Sequence, residues 1–206
     1  MKKYVFLLLI LSGCLTLPPL PNMPAKNLNS WQINGRIAII TKNDSWTAKF
    51  NWQQQITNYQ LRFSNPMGQG VIFLDGDNNG VIMRTADNKT FTASDPDTLI
   101  TNVLKLYIPV TNLYFWIRGI PIPKSSLQWY SLDKVGRLKT LRQNAWEIEY
   151  DRYINVQNIN LPKKIFLNGD DLRVKIIIDK WQINLPTLLD NQVYLAPKLL
   201  SKVQFF

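Results

Sequence analysis

The sequence predicts one all-β domain: a large antiparallel sheet that curls or closes and carries a small helical insert. Three observations lead there. Apolar and polar residues alternate over most of the chain, the pattern of strands buried on one face. Clusters of Gly, Asn and Asp separate several of these runs, as hairpins require. A single region, from Asp95 to about residue 118, switches to helical spacing. About eleven strands are expected, and a sheet of that size curls, so that one concave side is lined by aromatic and branched aliphatic residues.

The elements follow in chain order. Lys2 and Lys3 precede the apolar run "YVFLLLILSG", which is too short to span a bilayer and reads as a signal peptide over residues 1–13. It ends in "LSGC", Leu11 to Cys14, which resembles the bacterial lipobox, where the Cys thiol becomes acylated. Cleavage before Cys14 removes two lysines and no acid, so the charge of +10 falls to +8. One acyl chain anchors marginally; a bacterial lipoprotein typically carries several, which makes the anchor firm. Leu15 rather than Asp follows the Cys, which by the same resemblance favours the outer membrane. Residues 14–29, with Pro18, Pro19, Pro21 and Pro24, read as an extended, lipid-attached tether.

From Trp31 the period is two. "SWTAKFNWQ" places Trp46, Ala48, Phe50 and Trp52 on one face; "NYQLRFS" does the same with Tyr59, Leu61 and Phe63, and "AWEIEYD" with Trp146, Ile148 and Tyr150. The predicted strands are roughly 31–41, 45–53, 58–64, 70–76, 79–85, 88–93, 126–132, 137–142, 145–151, 163–168 and 171–183. Between the sixth and seventh, "SDPDTLITNVLKLYIP" offers Asp95 as N-cap and Pro96 at the first helical position, with Leu99, Val103 and Leu106 on an apolar face beside Ile100 and Tyr107. Thr111 is expected to cap a second short helix that Gly119 and Pro121 end. The domain therefore spans 30–183 with a helical lid over about 95–118, and 184–206 is an extension without an assigned role.

Composition narrows the chemistry. There is no His, and Cys14 is the single Cys, so His-based catalysis, His metal ligation and internal disulfides are excluded. No metal or cofactor is expected. Glu147, Glu149 and Asp151 invite a carboxylate-hydrolase reading, but alternate positions on one amphipathic strand are ordinarily a solvated face. The Lys and Arg are scattered along the chain without a stripe; a solvated basic surface is the default, with anionic lipid or an acidic protein as alternatives. Nucleic acid is not an expected partner. In "SNPMGQG", Ser64 to Gly70, the residues Asn65, Pro66 and Gly68 form turns while Met67 stands at the tip, either exposed as a membrane probe or folded back on the sheet edge.

Several blocks, in order, resemble the LolB family of outer-membrane lipoprotein receptors: the lipobox, "WQINGRIA", "FNWQQ", "YQLRFSNPMG", "DPDTLITNVL", "PVTNLYFWIRGIPIP", "LRQNAWEIEY" and "LPKKIFL", together covering about residues 30–183. Ala145 stands where the family often has Gly. The resemblance implies an incomplete, unclosed antiparallel barrel with a helical lid over an apolar cavity, as in LolA and LolB. It implies a monomeric, non-enzymatic protein on the periplasmic face of the outer membrane, which accepts lipoproteins from the soluble carrier LolA and inserts them into the inner leaflet; the alternative is a structural or small-molecule- or lipid-binding outer-membrane lipoprotein without transfer activity. The acyl-chain cavity is then expected to use Trp46, Phe50, Trp52, Leu61, Phe63, Leu99, Val103, Trp116, Trp146, Ile148 and Tyr150. Read from the residues alone, the same side chains serve equally as a packed core. Pro66, Met67 and Gly68 are the expected insertion loop. Arg36 and Arg118 are expected to contact the lid or a head group, or simply to be solvated.

Overall fold

The computed structural model describes residues 19–125 and 127–183. The signal segment, Cys14 and the extension 184–206 lie outside them. Two antiparallel meanders make one sheet. The first comprises β1 (Ser30–Thr41), β2 (Ser45–Gln55), β3 (Asn58–Ser64), β4 (Ile72–Gly76), β5 (Val81–Arg84) and β6 (Thr90–Ala93). Two helices follow, α1 (Pro96–Leu104) and α2 (Val110–Trp116). The second meander comprises β7 (Leu127–Leu132), β8 (Leu138–Gln143), β9 (Trp146–Val156), β10 (Ile159–Asn168) and β11 (Leu172–Ile183). The last strand returns to pair with the first, which gives an 11-stranded sheet ordered β6-β5-β4-β3-β2-β1-β11-β10-β9-β8-β7. β6 and β7 remain edges, so the barrel is incomplete, as expected.

Alternation does the building. Ile33, Ile37 and Ile39 of β1 face inward with Phe50 and Trp52 of β2, Leu61 of β3 and Val174, Ile176 and Ile178 of β11. Burying each such side chain contributes roughly 1.5–3 kcal/mol. Gly35 marks a bulge where β1 shifts register against β11. A Cβ there would lie 2.3 Å from the Ile177 carbonyl oxygen and 2.8 Å from the Phe50 ring, so only glycine allows the sheet to bend at this point.

Three local expectations are corrected. β9 and β10 are longer than predicted and are joined by Gln157-Asn158, both at positive φ (46° and 65°), a two-residue hairpin turn. Bulges around Pro162–Ile165 reset the alternation there, which hid the strand continuation. Thr111 does not cap α2; the helix starts after Pro109, and the Thr111 N–H donates to the Asp97 carboxylate of α1 at 3.0 Å. Asp95 does cap α1, accepting from the Thr98 N–H at 2.8 Å. Finally, residues 23–28 are not free tether. They form a 3-10 turn over Pro24–Asn27, and Met23, Ala25 and Leu28 are buried in the main core.

Candidate functional site

The concave face is divided into two unequal environments by α2. Across β8 and β9 the end of α2 is packed down through Trp116. Trp116 of α2 is fully buried, with its ring centroid 6.4 Å from that of Trp146. Its indole N–H donates to Gln143 Oε1 at 3.3 Å, and Gln143 also bonds both backbone groups of Ile122. The Tyr150 hydroxyl donates to the Trp116 carbonyl at 3.1 Å, and burial pushes that hydroxyl well above its ordinary pKa. Ile148 is buried in the same wall. Trp116, Trp146, Ile148 and Tyr150, expected in the cavity, are therefore packing that seats the lid. The residues alone allow a packed core as well as a cavity, and close packing decides for the core here.

Across β1–β4 the lid stands off, leaving a cavity of about 310 Å³. Its floor is Ile37, Ile39, Phe50, Trp52, Leu61 and Leu74; its roof is Ile100, Leu104, Ile108, Val110, Leu113 and Ile117 from the helical segment. Trp46, Phe63, Ile72 and Leu106 also line it, and Asp44 is its sole charged lining residue. Of the predicted set, Trp46, Phe50, Trp52, Leu61 and Phe63 are here. Leu99 and Val103 are not: α1 is rotated so that Ile100 and Leu104, one position further along, face the cavity while Leu99 is buried elsewhere in the core. The spacing of four between Ile100 and Leu104 was visible in the sequence, but two overlapping apolar stripes run along this helix.

One end of the cavity is its mouth. Trp46 is 40% exposed there and packs against Phe63 at 6.2 Å between ring centroids. Ser64 pairs with Lys49 near the start of β2, so the β3–β4 loop leaves the sheet at this same end. Phe63 before the loop and Ile72 after it both line the cavity. The loop is a closed turn: the Gly68 N–H donates to the Asn65 carbonyl, the Gln69 N–H to Asn65 Oδ1 at 2.8 Å, and Gly68 takes φ +85°. Met67 between them is 87% exposed, and Pro66 and Gly68 beside it are exposed too.

The two arginines part company. Arg36 is not a lid contact. It lies on the outer face of β1, where Nε and Nη2 donate to the Asp179 carboxylate at 3.2 and 2.8 Å. Strand alternation puts it opposite the inward Ile37, so it cannot reach the helices. Arg118, just past α2, is 2% exposed. Its Nε donates to the Tyr114 carbonyl at 3.0 Å and its Nη1 to the Leu28 carbonyl at 2.6 Å, and the guanidinium stacks 4.0 Å above the Tyr114 ring. Burial pulls its pKa down, opposed by Tyr114. The group ties the lid to the chain's N-terminal segment. Glu147, Glu149 and Asp151 sit exposed on the outer face, away from the cavity, with Asp151 paired to Lys164 at 2.9 Å. Among the described residues no cluster could hold a metal ion.

The architecture is an unclosed antiparallel barrel with an apolar pocket under two short helices. The family model of the outer membrane lipoprotein LolB matches residues 29–181, and the chain belongs to that family. An outer-membrane lipoprotein LolB of Ectopseudomonas mendocina is 37% identical over 155 residues, covering 75% of this chain and 76% of the relative. One from Pseudomonas aeruginosa is 36% identical over 155 residues, 75% of each chain. Among solved structures, a DUF1329 family protein from Desulfovibrio piger superposes with TM-score 0.53 at 6% identity, covering 79% of this chain and 89% of that one, a likeness of fold alone.

Proposed function

We propose that this protein is a receptor that accepts lipoproteins from the soluble carrier LolA and inserts them into the inner leaflet of the outer membrane, to which Cys14 anchors it. The observation that carries this reading is the continuity of cavity and loop: Phe63 and Ile72 line the apolar cavity and also bracket the turn that holds Met67 out in solvent. An acyl chain of about fourteen carbons loses on the order of 10 kcal/mol in water, at roughly 0.8 kcal/mol per CH₂. Passing it from one apolar cavity to another, and from there along an apolar rim into a bilayer, avoids that cost. No bond is made or broken, so no catalytic group is needed.

The volume adds a condition. Sites for compact ligands occupy roughly 300–1,000 Å³, and 310 Å³ is at the lower end. It suits part of an acyl chain rather than a whole multi-chain anchor. Acceptance therefore requires α1 and the segment after it to lift away from β1–β4 while α2 stays seated on Trp146 and Tyr150.

Met67 is the membrane probe in this mechanism. Its exposure costs little in water, and burying a Met in the bilayer returns roughly 1.5–3 kcal/mol. Depletion of the protein in its native cells tests the reading: lipoproteins should accumulate on the periplasmic carrier and fail to reach the outer membrane. Normal outer-membrane lipoprotein levels after depletion would refute it.

A further inference from the structure

The outer face of the sheet holds a shallow depression of about 250 Å³ over β1, β2 and β11. Ala38 and Ile177 give it an apolar floor, Pro66 of the β3–β4 loop lies at its edge, and Arg36, Lys49 and Lys175 supply its cations. These residues come from β1, β2 and β11, far apart in sequence, and the sheet brings them together. Arg36 is directly opposite Lys49 on β2 and Ile177 on β11, and Ala38 is directly opposite Lys175.

The charge pattern is costly as structure. Like charges directly opposite on a sheet destabilise it, and Arg36 and Lys49 are such a pair. Asp179 offsets Arg36, but among the described residues neither Lys49 nor Lys175 has a carboxylate within ion-pair distance. Lys175 Nζ lies 6.0 Å from the Phe166 ring centroid, a contact that leaves its charge unneutralised. Two ammonium groups without a carboxylate, beside an apolar floor and at the base of an exposed apolar loop tip, match the layout of a bilayer surface: phosphate outside, glycerol and chain below.

We propose that Arg36, Lys49 and Lys175 form a docking site for the head groups of an anionic phospholipid surface, and that it sets the angle at which the Met67 loop meets the membrane. The proposal rests on the insertion reading of that loop. A lipid bound here would neutralise the lysines and bring Pro66 to the interface, leaving Met67 to enter below it. Lys49 neighbours Ser64, the last residue of β3, so the docked head group and the loop move as one unit.

The test uses the full protein reconstituted in vesicles of phosphatidylcholine with or without phosphatidylglycerol. Thr47, which also lines the depression, is replaced by the photo-cross-linker p-benzoylphenylalanine. Cross-linking to radiolabelled phosphatidylglycerol should exceed that to phosphatidylcholine at equal mole fraction. The preference should fall about fivefold for each of Lys49→Gln and Lys175→Gln at low ionic strength, and weaken with added salt. Arg173→Gln, the same charge loss outside the depression, should leave it unchanged. Equal labelling of the two lipids, or an equal drop in the Arg173 variant, would overturn the site. A fluorophore on Met67→Cys reports loop insertion separately. A loop that stays in water while Thr47 still labels anionic lipid refutes the insertion reading and keeps the site; an inserted loop without lipid preference does the reverse.

Discussion

At Arg118 a guanidinium lies in the interior, hydrogen-bonded to backbone carbonyls and stacked on the Tyr114 ring. Hydrogen bonds from a charged group contribute roughly 1.5–3 kcal/mol each, against the cost of desolvating it. Arg118→Met keeps the apolar stem and removes the donors. We expect a loss of about 2 kcal/mol in urea unfolding, with faster amide exchange over residues 23–28, whose carbonyls the arginine holds. Ala145 offers the opposite case. It occupies φ +61° beside Asn144 at φ +51°, the two-residue turn between β8 and β9. A side chain in that left-handed region costs about 1–2 kcal/mol, and Asn tolerates it where Ala does not. Ala145→Gly should raise stability by about 1 kcal/mol, read from the denaturation midpoint, and leave function unchanged. Met67→Glu, at the exposed tip, should leave folding and lipoprotein acceptance intact and slow insertion into vesicles; insertion at the normal rate would reduce the loop to a mere connection.

The lid is the element on which the proposed exchange depends. α1 ends at Leu104, its C-cap Lys105 takes the left-handed conformation with φ 58°, and α2 begins at Val110. A side-chain contact joins the helices: the half-buried Asp97 carboxylate accepts the Thr111 N–H. Burial raises the Asp97 pKa, while the N–H bonds from Thr111 and Val110 oppose the rise. The folded protein therefore holds the Asp97 proton more tightly than the unfolded chain. Ionised Asp97 subtracts from stability at neutral pH, and that cost is relieved as the pH falls through its raised pKa. Asp97→Asn keeps an acceptor oxygen without the charge, so its melting temperature at neutral pH should equal or exceed that of the parent and vary less on mild acidification. Asp97→Ala removes the acceptor and should increase amide exchange at Thr111.

Across the whole molecule, the sequence made some features plain and concealed others for physical reasons. Period two in β1, β2, β3 and β9 identified strands because each is buried on one face only, and Asp95-Pro96 marked α1 because capping is local. The pairing of β1 with β11, Trp31 opposite Ile183, is a long-range contact that no local pattern encodes. Alternation also tells which residues share a face but not what covers it. Trp52 and Trp146 read alike in the sequence, yet one lines the cavity and the other is sealed by Trp116. The cations of the outer depression looked scattered because β1, β2 and β11 converge only in the folded sheet.

In the proposed function the apolar cavity receives acyl chains and passes them to a bilayer. Its most direct test is a transfer assay: a radiolabelled lipoprotein bound to the soluble carrier is mixed with the full protein reconstituted in vesicles. The label should leave the carrier, cross-link transiently to a photoreactive residue at Leu61 in the cavity, and end in the vesicle membrane. Label that stays on the carrier, or that stays on this protein without reaching the membrane, would contradict it.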